Sequence, residues 1–146
     1  MVTLRSTPNL NNWRPADLVE TAIAWKNAVD SKTTPTCLIF SRQGTSAIQR
    51  TQEHISSIQF GGYLLEENND HKITIVASGT EVQLALDAAE ELNNSSISTN
   101  VVSMPSLDIF LEQSEEYKNK IIDPNKPVLV VECGHPNSWV RILNRN

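Results

Sequence analysis

Three short apolar runs alternate with helical sequence in the second half of the chain. The runs occupy residues 72–78, 99–104 and 127–132, and we interpret each as a strand. After the first run, apolar residues recur at helical spacing at Val82, Ala85, Leu86, Ala89 and Leu92. Residues 106–122 are polar and helical in part, and a last short helix is expected near residues 137–143. This order predicts a βαβαβ unit with parallel strands and right-handed crossovers.

The first sixty residues predict one helix and one buried strand. Asp17, with Pro15 just before it and Glu20 three residues later, forms a capping box at the start of the helix. Apolar residues then follow a helical rhythm that predicts one wide buried face: Leu18, Val19, Ala22, Ile23, Trp25, Ala28 and Val29. Residues 36–41 form a continuous apolar run, as expected for a strand covered on both faces in a parallel sheet.

One helix and one strand do not make a domain. A strand buried on both faces needs neighbouring strands and a second helical layer, which residues 1–60 do not contain. The first part therefore either docks on the second part or is the end of a domain whose beginning is missing. Residues 45–60 are interpreted as a connector, and because Gly61-Gly62 marks a break, we place a domain boundary near residue 60.

The composition excludes several classes of protein. The chain has 146 residues, a net charge of -5 and a mean hydropathy of -0.30, which is typical of a soluble globular protein. Because the acidic residues are dispersed and no basic patch is present, nucleic acid is not an expected partner. No apolar run reaches the roughly 20 residues of a membrane helix, so we expect no membrane association and a cytoplasmic location. Cys37 and Cys133 lie in apolar runs and are predicted to be buried, reduced thiols rather than a disulfide or a reactive nucleophile.

Common catalytic motifs are absent from the chain. It contains no nucleotide-binding glycine loop, no zinc-protease or serine-hydrolase motif and no Cys-x-x-Cys pair. His54, His71 and His135 are far apart in the sequence, and each lies near a turn. We therefore interpret them as solvated or locally bonded side chains rather than metal ligands.

Arg42 is a candidate binding residue because of its position. Ligands of open α/β sheets bind beyond the carboxyl ends of the strands, and Arg42 stands one residue past the run at 36–41. Its planar guanidinium suits bidentate contact with a phosphate or a carboxylate. The sequence therefore indicates an anion-binding role, and the alternative is a surface or interdomain salt bridge.

The turn Ser78-Gly79-Thr80 precedes the predicted helix of the second half. Such a turn would present backbone N–H groups to an anion at the helix N-terminus. Because Glu81 already places a carboxylate in the first helical turn, helix capping by Gly79 or Thr80 is the preferred interpretation. The three tryptophans are interpreted as core or interface residues rather than a stacking platform: Trp13, Trp25 and Trp139.

Six short motifs follow one another along the chain. They are Thr7-Pro8-Asn9, Trp13-Arg14-Pro15-Ala16-Asp17, Phe40-Ser41-Arg42-Gln43, Gly61-Gly62-Tyr63-Leu64-Leu65, Ala77-Ser78-Gly79-Thr80-Glu81-Val82 and Val101-Val102-Ser103-Met104-Pro105-Ser106. In this order and spacing the chain resembles the transketolase family down to about Trp139. The resemblance implies an α/β fold in which residues 1–60 are the C-terminal part of the parallel-sheet, pyrimidine-binding domain. Residues 61–146 would then be the N-terminal part of the βαβαβ C-terminal domain, with both domains incomplete.

Transketolases are homodimeric enzymes of the pentose phosphate pathway. They move a two-carbon ketol unit from a ketose phosphate to an aldose phosphate, using thiamine diphosphate and a divalent metal, Mg²⁺ or Ca²⁺. The resemblance implies sugar phosphates as substrates, the missing N-terminal part of a transketolase as partner, and Arg42 as the arginine that grips the substrate phosphate.

The same resemblance implies that the family's catalytic, cofactor and metal residues lie upstream of Met1. We therefore expect no catalytic residue on this chain and no cofactor or metal held by the chain alone. Gly44 replaces the Asn usual in the family, which loosens the expected phosphate loop. The alternative reading is a catalytically inactive remnant or a non-enzymatic α/β interaction module.

Overall fold

Six strands form two sheets in the computed structural model, which describes residues 2–143. In chain order the strands are β1 (Asn11–Trp13), β2 (Thr36–Leu38), β3 (Tyr63–Glu66), β4 (Ile73–Ala77), β5 (Thr99–Ser103) and β6 (Val128–Val131). β1 and β2 pair in parallel, and the other strands form a four-stranded sheet in the order β3-β5-β4-β6. The chain is thus a mixed α/β structure in which parallel pairing predominates. The last residues of the second predicted domain, 144–146, lie outside the described residues.

The three strands predicted in the second half are present and parallel. β4 pairs with β5 on one side and with β6 on the other, so that Ile75 lies opposite both Val101 and Leu129. Helix α4 (Glu81–Asn94) connects β4 to β5. It buries three of the residues predicted to face the core: Val82, Ala85 and Ala89. The predicted order and direction of these strands are confirmed.

β3 is a strand that the sequence pattern does not indicate. It runs antiparallel to β5, with Tyr63 opposite Ser103 and an irregular register after Leu64. Its burial alternates, because Tyr63 and Leu65 face the core. A four-residue strand directly after two glycines is too short for periodicity to distinguish it from a connector.

Apart from α2 (Leu18–Asp30), the remaining helices are short. They are α1 (Val2–Arg5), α3 (Gln52–Ser57), α5 (Leu107–Leu111), α6 (Glu115–Ile121) and α7 (Val140–Leu143). Two 3₁₀ turns, Ile58–Phe60 and Pro136–Trp139, precede β3 and α7. The predicted connector at residues 45–60 therefore contains helical structure at its end. Of the helices in residues 2–143, none has the length and apolar character needed to cross a membrane.

Helix α2 begins as predicted but buries a different face. The Asp17 carboxylate accepts the Glu20 N–H at 3.1 Å, which caps the helix. The fully buried residues of the helix are Glu20 and Ala24. Four residues of the predicted apolar face are instead exposed: Leu18, Ala22, Trp25 and Val29. The prediction of that buried face is wrong because Glu20 turns inward to partners that are distant in the sequence.

β2 is shorter and more exposed than predicted. It ends at Leu38, and none of its three residues is fully buried. Beyond it, Phe40 is exposed and stacks on Trp25 with 6.3 Å between ring centroids. Among the described strands only β1 pairs with β2, so the further neighbouring strands expected beside a fully covered strand are not present here. The prediction of a strand buried on both faces is wrong for this part of the chain.

The two sheets share one apolar core. Trp13 of β1 and Ala24 of α2 pack in the same cluster as Tyr63, Ile75 and Ala85. The opposite face of the four-stranded sheet has a second cluster, which includes Val76, Val102, Phe110 and Trp139. The first part of the chain therefore docks on the second, one of the two arrangements expected. The core placement predicted for the tryptophans is confirmed for Trp13 and Trp139, whereas Trp25 is exposed.

Candidate functional site

Segments that follow the parallel strands β1 and β2 of one sheet and β4 and β6 of the other meet at one open cleft of about 360 Å³. Arg14 follows β1, Arg42 lies beyond β2, Gly79 follows β4 and Cys133 follows β6, and all four residues line the cleft. The carboxyl ends of parallel strands are the usual place for a binding site in open α/β sheets. The structure thus brings Arg42 to the kind of position that the sequence indicated.

Arg42 lies in the segment 39–47, which we call the Arg42 loop. The Arg42 side chain is exposed at the rim of the cleft. Among residues 2–143, no carboxylate lies within ion-pair distance of its guanidinium. The salt bridges expected as the alternative for Arg42 are made by two other arginines, Arg5 and Arg14.

Arg14 is a charged residue of the cleft to which sequence reasoning gave no individual role. Its Nη1 donates to the carbonyl oxygen of Ser78 at 2.7 Å and to the Ser78 hydroxyl at 3.1 Å. Its Nη2 forms an ion pair with the carboxylate of Glu81, and its Nη1 lies 3.4 Å from Glu132. The sequence pattern offered no signal for Arg14, because it indicates only the strand at 36–41 in the first sixty residues and not β1, which Arg14 directly follows.

Glu132 also contacts a second arginine, Arg5, from the first part of the chain. Its Oε2 lies 2.9 Å from Nη1 of Arg5, and both side chains are almost fully buried. The Arg5 guanidinium also lies over the ring of Trp139, 4.9 Å from the centroid. Arg5, Arg14, Glu81 and Glu132 together form what we call the strand-end ion cluster. Its two positive and two negative charges balance, so Arg42 is the uncompensated charge among the cleft-lining residues described.

The exposed Cys133 thiol contacts the strand-end ion cluster. Burial by itself would raise the pKa of Glu81, but a hydrogen bond from Cys133 and the nearby Arg14 guanidinium hold that pKa below its ordinary value. The same carboxylate raises the pKa of the Cys133 thiol, which therefore stays protonated. Both cysteines are free, and Cys37 is half-buried. The prediction of a buried thiol is wrong for Cys133, which is exposed because it lies two residues beyond the end of β6 rather than inside the sheet.

The Arg14 side chain packs against the turn before α4, so this turn is not open to an anion. Gly79 has φ +61°, and a Cβ there would lie 2.9 Å from the Arg14 side chain. Thr80 stands at the N-cap position, as predicted, but its side chain makes no capping hydrogen bond. Its hydroxyl lies instead 3.2 Å from the Glu81 carboxylate. Glu81 and Arg14 thus take the place that an anion would need.

The three histidines make local contacts, as predicted. Nδ1 of His54 faces the N–H of Thr51, and Nδ1 of His135 accepts the N–H of Asn137 at 3.3 Å. His71 contacts a backbone oxygen three residues earlier. In the part of the chain that the structure describes, no group of three or more His, Cys, Asp or Glu residues is arranged to hold a metal ion.

Comparison with known sequences gives the class of the protein. The sequence profile of the transketolase-like TK C-terminal domain matches residues 61–146, which is more than half of the chain. The chain therefore belongs to the transketolase family. Transketolase 1 of Vibrio parahaemolyticus is 41% identical to it over 145 residues, which cover 98% of this chain but 22% of that protein. The chain thus spans about a fifth of the length of this curated relative.

Comparison with solved structures also finds transketolases. Transketolase from Pichia stipitis, in complex with sedoheptulose 7-phosphate, superposes with a TM-score of 0.90 at 38% identity. The match covers 96% of this chain and 20% of that one. A split-gene transketolase, described as an inactive β4 tetramer, superposes with a TM-score of 0.74 at 25% identity. That match covers 98% of this chain and 46% of the other.

Proposed function

We propose that this chain acts as part of a transketolase, in which Arg42 binds the phosphate end of a sugar phosphate. The observation that carries the proposal is the charge balance of the cleft. The strand-end ion cluster is internally neutralised, and Arg42 presents a guanidinium without an ionic partner among the described residues. A charge-assisted hydrogen bond from such a group contributes roughly 1.5 to 3 kcal/mol.

The reaction proposed for the complete enzyme is transfer of a two-carbon ketol unit between sugar phosphates. The Pichia stipitis relative, solved with sedoheptulose 7-phosphate, supports this substrate class. Thiamine diphosphate would supply the carbanion chemistry, with a divalent metal, Mg²⁺ or Ca²⁺, bound beside it. Because the described residues contain no fitting ligand cluster and the chain spans about a fifth of its relative, we assign both groups to segments outside it. The proposal includes a cytoplasmic location and a homodimeric complete enzyme, as the family resemblance implies.

The test is kinetic and uses a complete transketolase that carries residues 1–146 of this chain as the corresponding segment. Arg42→Ala should raise KM for phosphorylated sugars about tenfold or more and leave KM for unphosphorylated sugars nearly unchanged. Arg141→Ala is the matched control, since Arg141 is exposed and lies outside the cleft. Equal losses for both kinds of sugar would contradict the proposal.

A second candidate function is an inactive module that binds a partner through its exposed apolar surface. Leu18, Trp25 and Val29 on α2 are more than half exposed, and the split-gene relative supports an assembly without activity. Complementation separates the two candidates. Ketol transfer that appears only when this chain is combined with the remaining transketolase segments supports the first, and no transfer under any combination supports the second. Turnover by this chain alone would contradict both.

A further inference from the structure

The Arg42 loop is held by hydrogen bonds at both of its ends. At its start, the N–H of Ile39 donates to the carbonyl oxygen of Trp13 at 2.8 Å. Just beyond its end, the N–H of Ile48 donates to Oδ2 of Asp17 at 3.2 Å. Residues 40–47 between these anchors are exposed. The direction in which the Arg42 side chain projects therefore depends on these two hydrogen bonds.

Arg50 builds the second anchor. Its Nη1 contacts the Asp17 carboxylate that holds Ile48, and also donates to the Ile48 carbonyl oxygen at 3.1 Å. Its Nη2 donates to Oε1 of Glu20 at 3.2 Å, and its Nε donates to the Tyr63 hydroxyl at 2.7 Å. The Arg50 side chain is only 1% exposed, so all of these contacts are buried. One guanidinium thus fixes the end of the loop to two carboxylates and a phenol.

Glu20 joins this anchor to the four-stranded sheet. Its Oε1 accepts the hydroxyl of Tyr63 at 2.8 Å and the hydroxyl of Ser103 at 2.6 Å. Its Oε2 accepts the N–H of Ala16 at 2.7 Å. Burial, reinforced by the Glu20 carboxylate, raises the pKa of Tyr63 above its ordinary range, so the phenol remains a donor. Through Arg50, the end of the Arg42 loop is therefore connected to Glu20 of α2 and Tyr63 of β3, whereas Ser103 of β5 contacts Glu20 and makes no contact with Arg50 or the loop end.

We propose that Arg50 is a positioning residue, which holds the Arg42 loop so that the Arg42 guanidinium stays at the cleft. This inference rests on the proposed function, because it assigns a consequence to the placement of Arg42. Arg50 reaches Asp17, Glu20 and Tyr63 from three different nitrogens, and a lysine at position 50 keeps the charge but donates from a single nitrogen, so it cannot reproduce this geometry. Arg50→Lys thus separates the geometry of the anchor from its charge.

A double-mutant cycle in the complete transketolase tests whether Arg50 acts through Arg42. Arg50→Lys should raise KM for phosphorylated sugars by about threefold to tenfold, with kcat and KM for unphosphorylated sugars nearly unchanged. In an Arg42→Ala background the same substitution should have no further effect on KM. An effect of equal size in both backgrounds, or an equal loss for both kinds of sugar, would overturn the inference.

The Arg42→Ala variant alone distinguishes failure of the inference from failure of the proposed function. If it leaves KM for phosphorylated sugars unchanged, the proposed function fails and the inference falls with it. If it raises that KM while Arg50→Lys does not, only the inference fails. Ser103→Ala is the matched control, because it removes another hydrogen bond to Glu20 without touching the loop. It should lower stability and leave the preference for phosphorylated sugars unchanged.

A second measurement on the full chain does not depend on catalysis. Backbone order parameters of residues 40–47, from ¹⁵N relaxation, should fall in Arg50→Lys and stay at their original values in Ser103→Ala. Order parameters that fall in neither variant, or equally in both, would overturn the positioning role. This comparison remains informative even if one of the variants of the complete enzyme does not fold.

Discussion

Nη1 of Arg5 lies 2.9 Å from Oε2 of Glu132, and the two side chains are 6% and 4% exposed. Arg5 lies before β1, in the first sheet, and Glu132 directly follows β6, in the second sheet. This buried pair therefore connects the two sheets. Glu132 also lies within ion-pair distance of Arg14. The pair therefore contributes to the docking of the first part of the chain on the second.

Loss of the Glu132 charge should destabilise the chain strongly. Glu132→Gln would leave the buried Arg5 without its ionic partner, and breaking a buried pair in this way costs about 3 kcal/mol or more. Urea unfolding monitored by tryptophan fluorescence measures the change in the free energy of unfolding. Asp30→Asn is the control, because Asp30 pairs with Lys26 on an exposed helix surface and should have little effect. A Glu132→Gln variant as stable as the parent would contradict this account of the junction.

Substitution of Gly79 should be costly for two independent reasons. Its φ of +61° is unfavourable for an L-residue, and an added Cβ would lie 2.9 Å from Arg14. We expect Gly79→Ala to lower the free energy of unfolding by roughly 1 to 3 kcal/mol. Gly44→Ala is the matched control, since nothing lies within 4 Å of a Cβ at that position. Thermal unfolding of both variants tests the contrast, and equal midpoints would argue against it.

Glu81 should give the chain part of its sensitivity to acid. Because its pKa in the folded chain lies below its ordinary value, the unfolded chain binds the proton first as the pH falls. The stability it contributes is present above the unfolded pKa of about 4.3 and is lost as the pH falls through the folded value. Unfolding free energies of the parent and Glu81→Gln, measured from neutral pH downward, should converge in acid. A difference that stays constant with pH would contradict the prediction.

The exposed apolar surface of α2 should promote association of the chain. Leu18 is 85% and Val29 66% exposed, and neither contributes to the buried core. Leu18→Gln with Val29→Gln should reduce self-association in sedimentation and reduce binding of a hydrophobic dye, without loss of stability. Leu84→Gln, on the exposed side of α4, is the control. A parent chain that sediments as a monomer and binds no dye would contradict the prediction.

Features that depend on local sequence could be predicted. The strands β4, β5 and β6 are compact apolar runs, and the parallel direction follows from the helical segments between them. The place of Arg42 beside the cleft follows from the rule that ligands bind beyond strand ends. The Asp17 cap likewise depends only on residues within one helical turn.

Features that depend on distant partners could not be predicted from the pattern. The inward face of α2 is set by Glu20, whose partners Tyr63 and Ser103 lie on strands of the other sheet. Arg14 similarly obtains its role from residues far along the chain. Apolar periodicity contains no information on such polar pairs, so it assigned the wrong face to the helix.

The most direct test of the central claim is the ratio of kcat/KM for a phosphorylated sugar to that for its unphosphorylated counterpart, measured in the complete enzyme. If Arg42 binds the phosphate, Arg42→Ala should lower this ratio about tenfold or more relative to the parent, and Arg42→Lys should restore part of it. A ratio that is the same in the parent and in Arg42→Ala would contradict the claim.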